Sequence, residues 1–288
     1  MTTLNETFTL SNGVEIPKLG LGTWMIEDND VAEAVRKAVD LGYRHIDTAQ
    51  AYQNERGVGE GVRSASVPRD QLFVTTKLDA GIKDYDGAKA AIDASLETMG
   101  LDYIDLLIIH SPQPWENFAG EDRFFEGSLA AWKAMEEAYE AGKLSAIGGS
   151  NFEKQDRENL LENAKVKPML DQILAHVSNT PFELIDFIQG NDMLAEAYSP
   201  IGHGEVLDNE EIKGIAGKYG VSVPQLCIRY LLQLGLLPLP KTGNPDHMKS
   251  NADVDFTISD EDMDALRNAT PIADYGDASV FPVFGGKM

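Results

Sequence analysis

A regular alternation of short apolar runs with longer amphipathic stretches predicts an α/β fold, a (β/α)8 barrel of the TIM type preceded by a short N-terminal β-hairpin. Almost no antiparallel pattern follows the hairpin, so the strands are expected to pair in parallel through helical crossovers. Eight is the number of strands that closes such a barrel. The predicted strands are residues 43–46, 72–76, 104–109, 144–149, 169–173, 194–198, 236–239 and 252–256.

Turn and cap signals support the other elements. FTLSNGVEIP (8–17) has two short runs around Asn12-Gly13, a pair that favours a tight hairpin turn. Helices predicted at 30–42, 86–100 and 126–142 have apolar residues at three- and four-residue spacing and end in a glycine suited to a C-cap.

A doubly wound open sheet is the competing architecture. Its dinucleotide fingerprint, G-x-G-x-x-G directly after a strand, is missing from the sequence. The nearest sequence, GVGEG (57–61), lies inside a helical stretch. No linker or internal repeat divides the chain, so we expect a single domain, 1–288.

Composition restricts the class of protein. A chain with 43% hydrophobic and 25% charged residues is typical of a soluble globular protein, and its net charge of −23 disfavours binding to nucleic acid or anionic lipid. No apolar run approaches the roughly 20 residues of a membrane helix. MTTLNETFTL has no signal-peptide pattern, so we expect a cytoplasmic location. The single cysteine, Cys227, excludes an internal disulfide, and no metal-ligand spacing appears.

Polar residues follow the predicted strands at the end where barrel enzymes build their active sites. These residues are Asp47, Lys77, His110, Ser150, Asn151, Gln172, Tyr198, Ser199 and Lys241. Because the carboxyl ends of parallel barrel strands meet at one rim, we expect these side chains to form one site.

Four side chains in or near this set suggest proton transfer. A phenol such as Tyr52 has a pKa of about 10, and a nearby ammonium, here Lys77, favours the phenolate and lowers that pKa. Asp47 would keep the buried lysine charged. His110 would orient a substrate carbonyl by a hydrogen bond while Tyr52 completes proton transfer. This chemistry suits protonation of an oxyanion as a hydride donor delivers electrons.

Two other functions remain open on these residues. A barrel aldolase or lyase would use Lys77 as a Schiff-base amine, although Asp47 favours the charged amine and argues against it. A non-catalytic nicotinamide-binding sensor of the same fold is the second alternative, which the presence of both Tyr52 and Lys77 disfavours. His45 is expected to be structural.

Seven motifs cover nearly the whole chain and resemble, in order and spacing, the aldo-keto reductase family, in particular its bacterial 2,5-diketo-D-gluconate reductase type. They are GLGTW (20–24), GYRHIDTAQAYQNERGVGEG (42–61), FVTTKL (73–78), LDYIDLLIIHSP (101–112), AIGGSNF (146–152), AYSPIG (197–202) and PKTGNP (240–245).

The resemblance implies NADPH-dependent reduction of aldehydes or ketones by a protein that is commonly monomeric. The family's catalytic tetrad maps onto Asp47, Tyr52, Lys77 and His110. Its nicotinamide carboxamide is held by residues that map onto Ser150, Asn151 and Gln172, and its ring stacks on Tyr198. The full set of implied cofactor contacts is Gly22, Thr23, Trp24, Ser150, Asn151, Gln172, Tyr198, Ser199, Pro200, Ile201, Lys241, Thr242, Gly243, Asn244, His247 and Asn251.

Several positions depart from the family pattern. Ser111 stands where an indole normally walls the substrate pocket, which widens the pocket or lets Trp115 fill it; Gly149, Asp171 and Leu174 also depart. The implied substrate contacts are Trp24, Tyr52, His110, Ser111 and Trp115.

The cofactor preference depends on His247, which replaces an arginine that holds the adenosine 2′-phosphate in the family. Because histidine is mostly neutral at neutral pH, we expect NADPH to be the cofactor with a weakened preference and with NADH use as the alternative. FPVFGG (281–286) is expected either to pack simply or to cover the substrate mouth.

Overall fold

The computed structural model describes residues 2–272 and 274–286, and it contains the predicted barrel. Met1, Ala273, Lys287 and Met288 of the predicted domain 1–288 lie outside the described residues. Eight parallel strands pair in chain order, and a further bridge from Gly22 to Lys241 joins the first to the last. The strands are β3 (Gly20–Gly22), β4 (His45–Asp47), β5 (Phe73–Leu78), β6 (Ile104–Ile109), β7 (Leu144–Ser150), β8 (Leu170–Leu174), β9 (Leu194–Tyr198) and β10 (Leu237–Leu239).

The predicted N-terminal hairpin is confirmed. Strands β1 (Thr7–Thr9) and β2 (Glu15–Pro17) are antiparallel, and Gly13 supplies the positive φ angle of 86° at the turn. The Asn12 side chain donates to the carbonyl oxygen of Ser145 at the beginning of β7. The hairpin therefore covers the amino ends of the barrel strands, opposite the predicted site.

Helices surround the barrel between successive strands. The three predicted helices are present, and the glycines that follow them, Gly42, Gly100 and Gly142, all have positive φ angles. The helices are α1 (Asp28–Asp40), α2 (Glu55–Arg63), α3 (Tyr85–Met99), α4 (Phe125–Glu140), α5 (Lys154–Asn163), α6 (Phe182–Gly190), α7 (Glu210–Tyr219), α8 (Val223–Gln233), α9 (Pro245–Ala252) and α10 (Asp260–Arg267).

One predicted strand is wrong. Residues 252–256 contain the end of α9 and a loop, where Asp255 accepts hydrogen bonds from Thr2 and Thr3; the eighth barrel strand is Gly20–Gly22. Asp47 therefore ends the second barrel strand and not the first. A three-residue strand with two glycines shows no apolar alternation, which is why the sequence pattern missed it.

Close packing explains the glycines of β3 and of the segment GVGEG (57–61). A Cβ at Gly20 would lie 2.5 Å from Leu239 Cδ2 and 2.7 Å from His45 Nδ1, so a larger residue would have to displace these two buried side chains. GVGEG (57–61) is helical, and a Cβ at Gly59 would lie 2.1 Å from the carbonyl oxygen of Met99 at the end of α3. These glycines let α2 approach its neighbours. None of the helices described in 2–272 and 274–286 is long and apolar enough to cross a membrane.

Candidate active site

The four predicted catalytic side chains lie together at the carboxyl end of the barrel. The Lys77 ammonium donates to Asp47 Oδ1 at 2.5 Å and to the carbonyl oxygen of Thr48 at 2.9 Å. It also lies 4.8 Å from the centroid of the Tyr52 ring. The Tyr52 and His110 rings meet edge to face with centroids 5.6 Å apart. Lys77 is fully buried and Asp47 nearly so.

The loop that carries Tyr52 is held by the side chain of Gln50. Its Oε1 accepts from the backbone N–H of Asp79, just after β5, at 2.8 Å, and its Nε2 donates to Ser95 Oγ in α3 at 2.9 Å. Gln53 closes the turn in the left-handed region at φ 56°. These bonds hold the loop of Tyr52 in one position, as a preorganised site requires.

The protonation states follow from burial and from one ammonium. Burial on its own lowers the pKa of Lys77, but the charges of Asp47 and Tyr52 offset this effect and the resulting pKa lies above the usual value. Burial raises the pKa of Tyr52, and Lys77 opposes that rise by its charge and a hydrogen bond. The net direction is upward, so the expectation of a phenol more acidic than usual is wrong. Tyr52 therefore carries its proton at neutral pH, as a proton donor must.

His110 is a neutral imidazole in this setting. Burial, followed by the charges of Lys77 and Lys83, holds its pKa well below the usual value. Within the described residues its buried Nδ1 has no hydrogen-bond partner. The Trp115 ring packs edge to face against it, with centroids 5.0 Å apart. A neutral, oriented imidazole can donate one hydrogen bond to a carbonyl oxygen.

The four residues predicted to hold a nicotinamide ring form one hydrogen-bonded chain. Tyr198 donates its hydroxyl to Asn151 Oδ1 at 2.7 Å, and Asn151 Nδ2 donates to Ser150 Oγ at 3.1 Å. Ser150 Oγ donates to the carbonyl oxygen of Gln172 at 2.9 Å. Gln172 Nε2 then donates to Asp47 Oδ2 at 3.0 Å, which connects this chain to the ammonium site.

These residues fit a nicotinamide. Gln172 commits its Nε2 to two carboxyl groups, which leaves Oε1 as an acceptor for a carboxamide N–H. The half-buried Tyr198 ring offers a flat face beside it. Thr23 and Trp24 lie at the same rim; Thr23 is fully buried, and its hydroxyl donates to the carbonyl oxygen of Asp47.

A second group of predicted contacts surrounds the N-terminus of α9. Asn244 caps this helix by accepting from the N–H of Asp246, and Thr242 Oγ1 accepts from the N–H of Asn244. Lys241 and His247 are exposed. A helix N-terminus beside a lysine suits a phosphate. Of the other predicted residues, Gly22 pairs with Lys241, Gly243 is exposed, Pro200 and Asn251 are buried, and Ser199 and Ile201 are half-buried.

The loop after β6 contains a residue that sequence reasoning missed, Gln113. Its Oε1 accepts from the N–H of Ala119, and its Nε2 donates to the carbonyl oxygens of Gly120 and Asp122 at 2.9 and 2.6 Å. Ser111 is fully buried and accepts from the N–H of Gln113, so it also supports this loop. A glutamine among prolines and small residues carried no signal, because its partners are backbone atoms.

Aromatic residues of the C-terminal segment pack against Trp24 and His203. Phe281 packs edge to face on Trp24 with centroids 5.0 Å apart, and Phe284 packs on His203 at 4.6 Å. His203 in turn contacts Trp24 at 5.3 Å. The contact with Trp24, a predicted substrate residue, favours the prediction that FPVFGG covers the substrate mouth over the prediction of simple packing.

A closed parallel barrel with a charged lysine, a phenol and an imidazole at one rim defines a proton-transfer enzyme of the barrel class. The chain belongs to the aldo/keto reductase family, whose sequence model matches residues 18–270. It is therefore an oxidoreductase that acts on carbonyl and alcohol groups. Family membership sets aside the aldolase and sensor alternatives.

Similar proteins cover almost the same length. The glyoxal reductase of Bacillus subtilis is 41% identical over 92% of this chain and 93% of its own. The glycerol 2-dehydrogenase (NADP+) of Saccharomyces cerevisiae is 36% identical over 90% and 89%. The crystal structure of a Bombyx mori aldo-keto reductase in complex with NADP aligns with a TM-score of 0.85 at 33% identity, over 95% of both chains.

Proposed function

We propose that this chain reduces small aldehydes and ketones to alcohols with NADPH, and that Tyr52 is the proton donor. The observation that carries this proposal is the Lys77 ammonium, which lies 2.5 Å from Asp47 and 4.8 Å from the centre of the Tyr52 ring. A buried phenol in contact with a paired ammonium is equipped to release a proton to an alkoxide and to remain stabilised afterwards.

The roles of the side chains follow from this arrangement. His110 donates a hydrogen bond to the substrate carbonyl oxygen and orients it toward Tyr52. Bound NADPH would supply the hydride for the carbonyl carbon. Tyr52 gives its proton to the oxygen, Lys77 stabilises the phenolate that results, and Asp47 keeps Lys77 charged.

The residues proposed to hold the cofactor lie in two places. Ser150, Asn151, Gln172 and Tyr198 would bind the nicotinamide, and the segment from Lys241 to His247 would bind the phosphates. The NADP named for the yeast and silkworm relatives supports NADP(H) as the cofactor. The His247 imidazole is not a bidentate clamp for a 2′-phosphate as an arginine would be, so NADH should also be used.

His247→Arg tests the contact with the 2′-phosphate. We expect the Kd for NADPH to fall about tenfold, because a guanidinium adds a charge-assisted hydrogen bond. The Kd for NADH, which has no such phosphate, should stay unchanged. Fluorescence titration of both cofactors measures this, with Lys249→Arg on the same helix as the control. Equal tightening of both cofactors would show that residue 247 does not face the 2′-phosphate.

We further propose α-dicarbonyls and keto-sugars as the substrate class. The resemblance to the 2,5-diketo-D-gluconate reductase type and the identity to a glyoxal reductase support this class. Ser111 stands where the family pattern has an indole, and Trp115 packs beside His110 instead. The wall of the substrate mouth therefore differs from that of the family pattern.

A substrate panel tests the reaction and its class together. Glyoxal, α-diketones, keto-sugars and simple monoaldehydes are each incubated with NADPH and with NADH, and loss of the reduced nicotinamide is followed. We expect the highest kcat/KM with NADPH and a dicarbonyl. If no carbonyl in the panel oxidises either cofactor above the rate without enzyme, the proposed reaction is wrong.

We also propose that the chain works as a single-domain monomer in the cytoplasm. The strands form one closed ring, and a net charge of −23 keeps copies apart at low salt. Light scattering coupled to size exclusion, at low and high salt, measures the mass in solution.

A further inference from the structure

The interior of the barrel below the site is polar, whereas such barrels are usually filled by branched aliphatic side chains. Glu196 in β9 is fully buried there, beside the equally buried His45 and Thr75. Glu196 lies two residues before Tyr198, so both side chains point to the same face of the strand. It pairs with Gln172 across β8 and β9.

Glu196 is the far end of a hydrogen-bonded chain that reaches the ammonium. Gln172 Nε2 donates to Glu196 Oε2 at 2.7 Å and to Asp47 Oδ2 at 3.0 Å. Asp47 uses its other oxygen, Oδ1, for Lys77 at 2.5 Å. Two carboxyl groups therefore share one amide NH2 group, and both of its hydrogens are used.

The charges in this interior fix which carboxyl is ionised. Lys77 is the cation in contact with the chain, and it is bonded to Asp47. Burial raises the pKa of Asp47, whereas the charge and the hydrogen bond of Lys77 oppose that rise, so Asp47 is the carboxyl that the ammonium stabilises as an anion. Burial, followed by repulsion from Asp47, raises the pKa of Glu196 to about 8, while Gln172 and Lys77 only partly oppose this. Burial and Lys77 lower the pKa of His45 to about 3, so His45 is neutral. Near pH 7 the interior thus holds one positive and one negative charge.

The other groups facing Glu196 agree with a protonated carboxyl. His45 Nε2 lies 3.8 Å from Glu196 Oε1 and is already bonded to Thr75 Oγ1 at 2.9 Å. Among the described residues, Oε1 has no hydrogen-bond partner. Tyr52 also interacts with Glu196, because the charge of an ionised Glu196 raises the pKa of the phenol.

We propose that Glu196 is a positioning residue of the reductase: through Gln172 it fixes the amide that meets the nicotinamide and holds Asp47 against Lys77. Glu196 acts one hydrogen bond behind Gln172, the residue proposed to contact the cofactor. Glu196 accepts one hydrogen of Gln172 Nε2 and Asp47 accepts the other. Oε1 of Gln172 is therefore the side-chain atom left to accept a hydrogen bond from a carboxamide. This inference rests on the proposed function.

The geometry predicts a pH effect with a definite sign. When Glu196 loses its proton above about pH 8, the buried site holds two negative charges and one positive charge, and Tyr52 becomes a weaker acid. The kcat for carbonyl reduction should therefore fall above about pH 8 in the natural protein. Glu196→Gln keeps an acceptor oxygen but cannot ionise, so this fall should move to higher pH.

Loss of the acceptor oxygen should affect the cofactor. Glu196→Leu leaves the Gln172 amide free to rotate, and we expect the Kd for NADPH to rise about tenfold. The Kd for NADH should rise by the same factor, because the nicotinamide is common to both cofactors. Glu196→Gln should leave both Kd values nearly unchanged.

Glu55→Gln is the matched control. Glu55 is also buried with a raised pKa, and it accepts from Thr76 Oγ1 and Ser95 Oγ, outside the Gln172 chain. This variant should change neither the pH profile nor the cofactor Kd. Glu196 variants that behave in the same way would mean that Glu196 is merely structural.

The experiment combines pH profiles of kcat with fluorescence titration of NADPH and NADH for the natural protein and the variants Glu196→Gln, Glu196→Leu and Glu55→Gln. Circular dichroism checks folding, and if Glu196→Leu does not fold, the Glu196→Gln profile decides. If the natural protein reduces no carbonyl, the proposed function fails, while the titrations still decide the role of Glu196. The proposal is overturned if kcat of Glu196→Gln falls near pH 8 as in the natural protein and the Kd of Glu196→Leu for NADPH and NADH is unchanged.

Discussion

Tyr52→Phe should lower kcat for carbonyl reduction by roughly 10²–10⁴-fold, the range expected for a lost general acid. The phenol carries its proton at neutral pH and lies beside the Lys77 ammonium, which is 4.8 Å from the ring centroid. The hydroxyl takes no part in the hydrogen-bonded chain from Tyr198 to Gln172, so the Kd for NADPH should change little. Steady-state kinetics and a cofactor titration of the same preparation measure both quantities.

Tyr43→Phe is the control for removal of a buried tyrosine hydroxyl. Tyr43 is buried and donates to the carbonyl oxygen of Met248 at 2.8 Å, a bond that is separate from the hydrogen bonds of the Lys77 site. Its loss should lower the free energy of unfolding by about 1 kcal/mol and leave kcat unchanged. Undiminished turnover in Tyr52→Phe would remove Tyr52 from its proposed role.

The parts of the fold that follow general rules could be predicted from the sequence. The strand Ile104–Ile109 ends in four consecutive apolar residues, 106–109, a run typical of parallel buried strands. The rule that barrel sites lie at the carboxyl ends of the strands then brings Asp47, Lys77 and His110 to one rim. Tyr52 lies on a turn outside any strand, and it was included because it follows Asp47 by five residues and carries a phenol suited to proton transfer.

The parts that depend on neighbours in space could not be predicted. β3 pairs with β4, and Gly20 lies where a Cβ would meet Leu239 and His45; neither the pairing nor these contacts are visible in the three residues themselves. The pKa of Tyr52 depends on the balance between burial and Lys77, and the sequence shows only the second. Glu196 resembled any polar strand residue until its face of β9 was known.

Asp171, which departs from the family pattern, forms a buried ion pair with Arg157. We expect the loss of this pair to have the second large effect, a fall in the free energy of unfolding. Arg157 of α5 and Asp171 of β8 are 1% and 2% exposed, and Arg157 Nε donates to Asp171 Oδ2. Burial raises the pKa of Asp171 to about 6, against the opposing charge of Arg157, so the carboxyl is ionised at pH 7. The pair joins α5 to the strand that carries Gln172.

Asp171→Asn should lower the free energy of unfolding by about 3–5 kcal/mol at pH 7, because it leaves the Arg157 guanidinium buried without its carboxylate. Urea denaturation, with the m-value checked for a constant unfolded state, measures the change. Because Asp171 and Gln172 are neighbours on β8, a smaller secondary rise in the Kd for NADPH is also expected.

Two further variants separate the buried charge from the simple loss of an ion pair. Asp93→Asn breaks a half-exposed pair with Lys143 at 2.6 Å and should cost less than about 1 kcal/mol, since exposed pairs contribute little. Adding Arg157→Met to Asp171→Asn removes the buried cation and should recover much of the lost stability, because an apolar side chain of similar length carries no desolvation cost. If the double variant is no more stable than Asp171→Asn, the cost lies in packing between α5 and β8 and not in the unpaired charge.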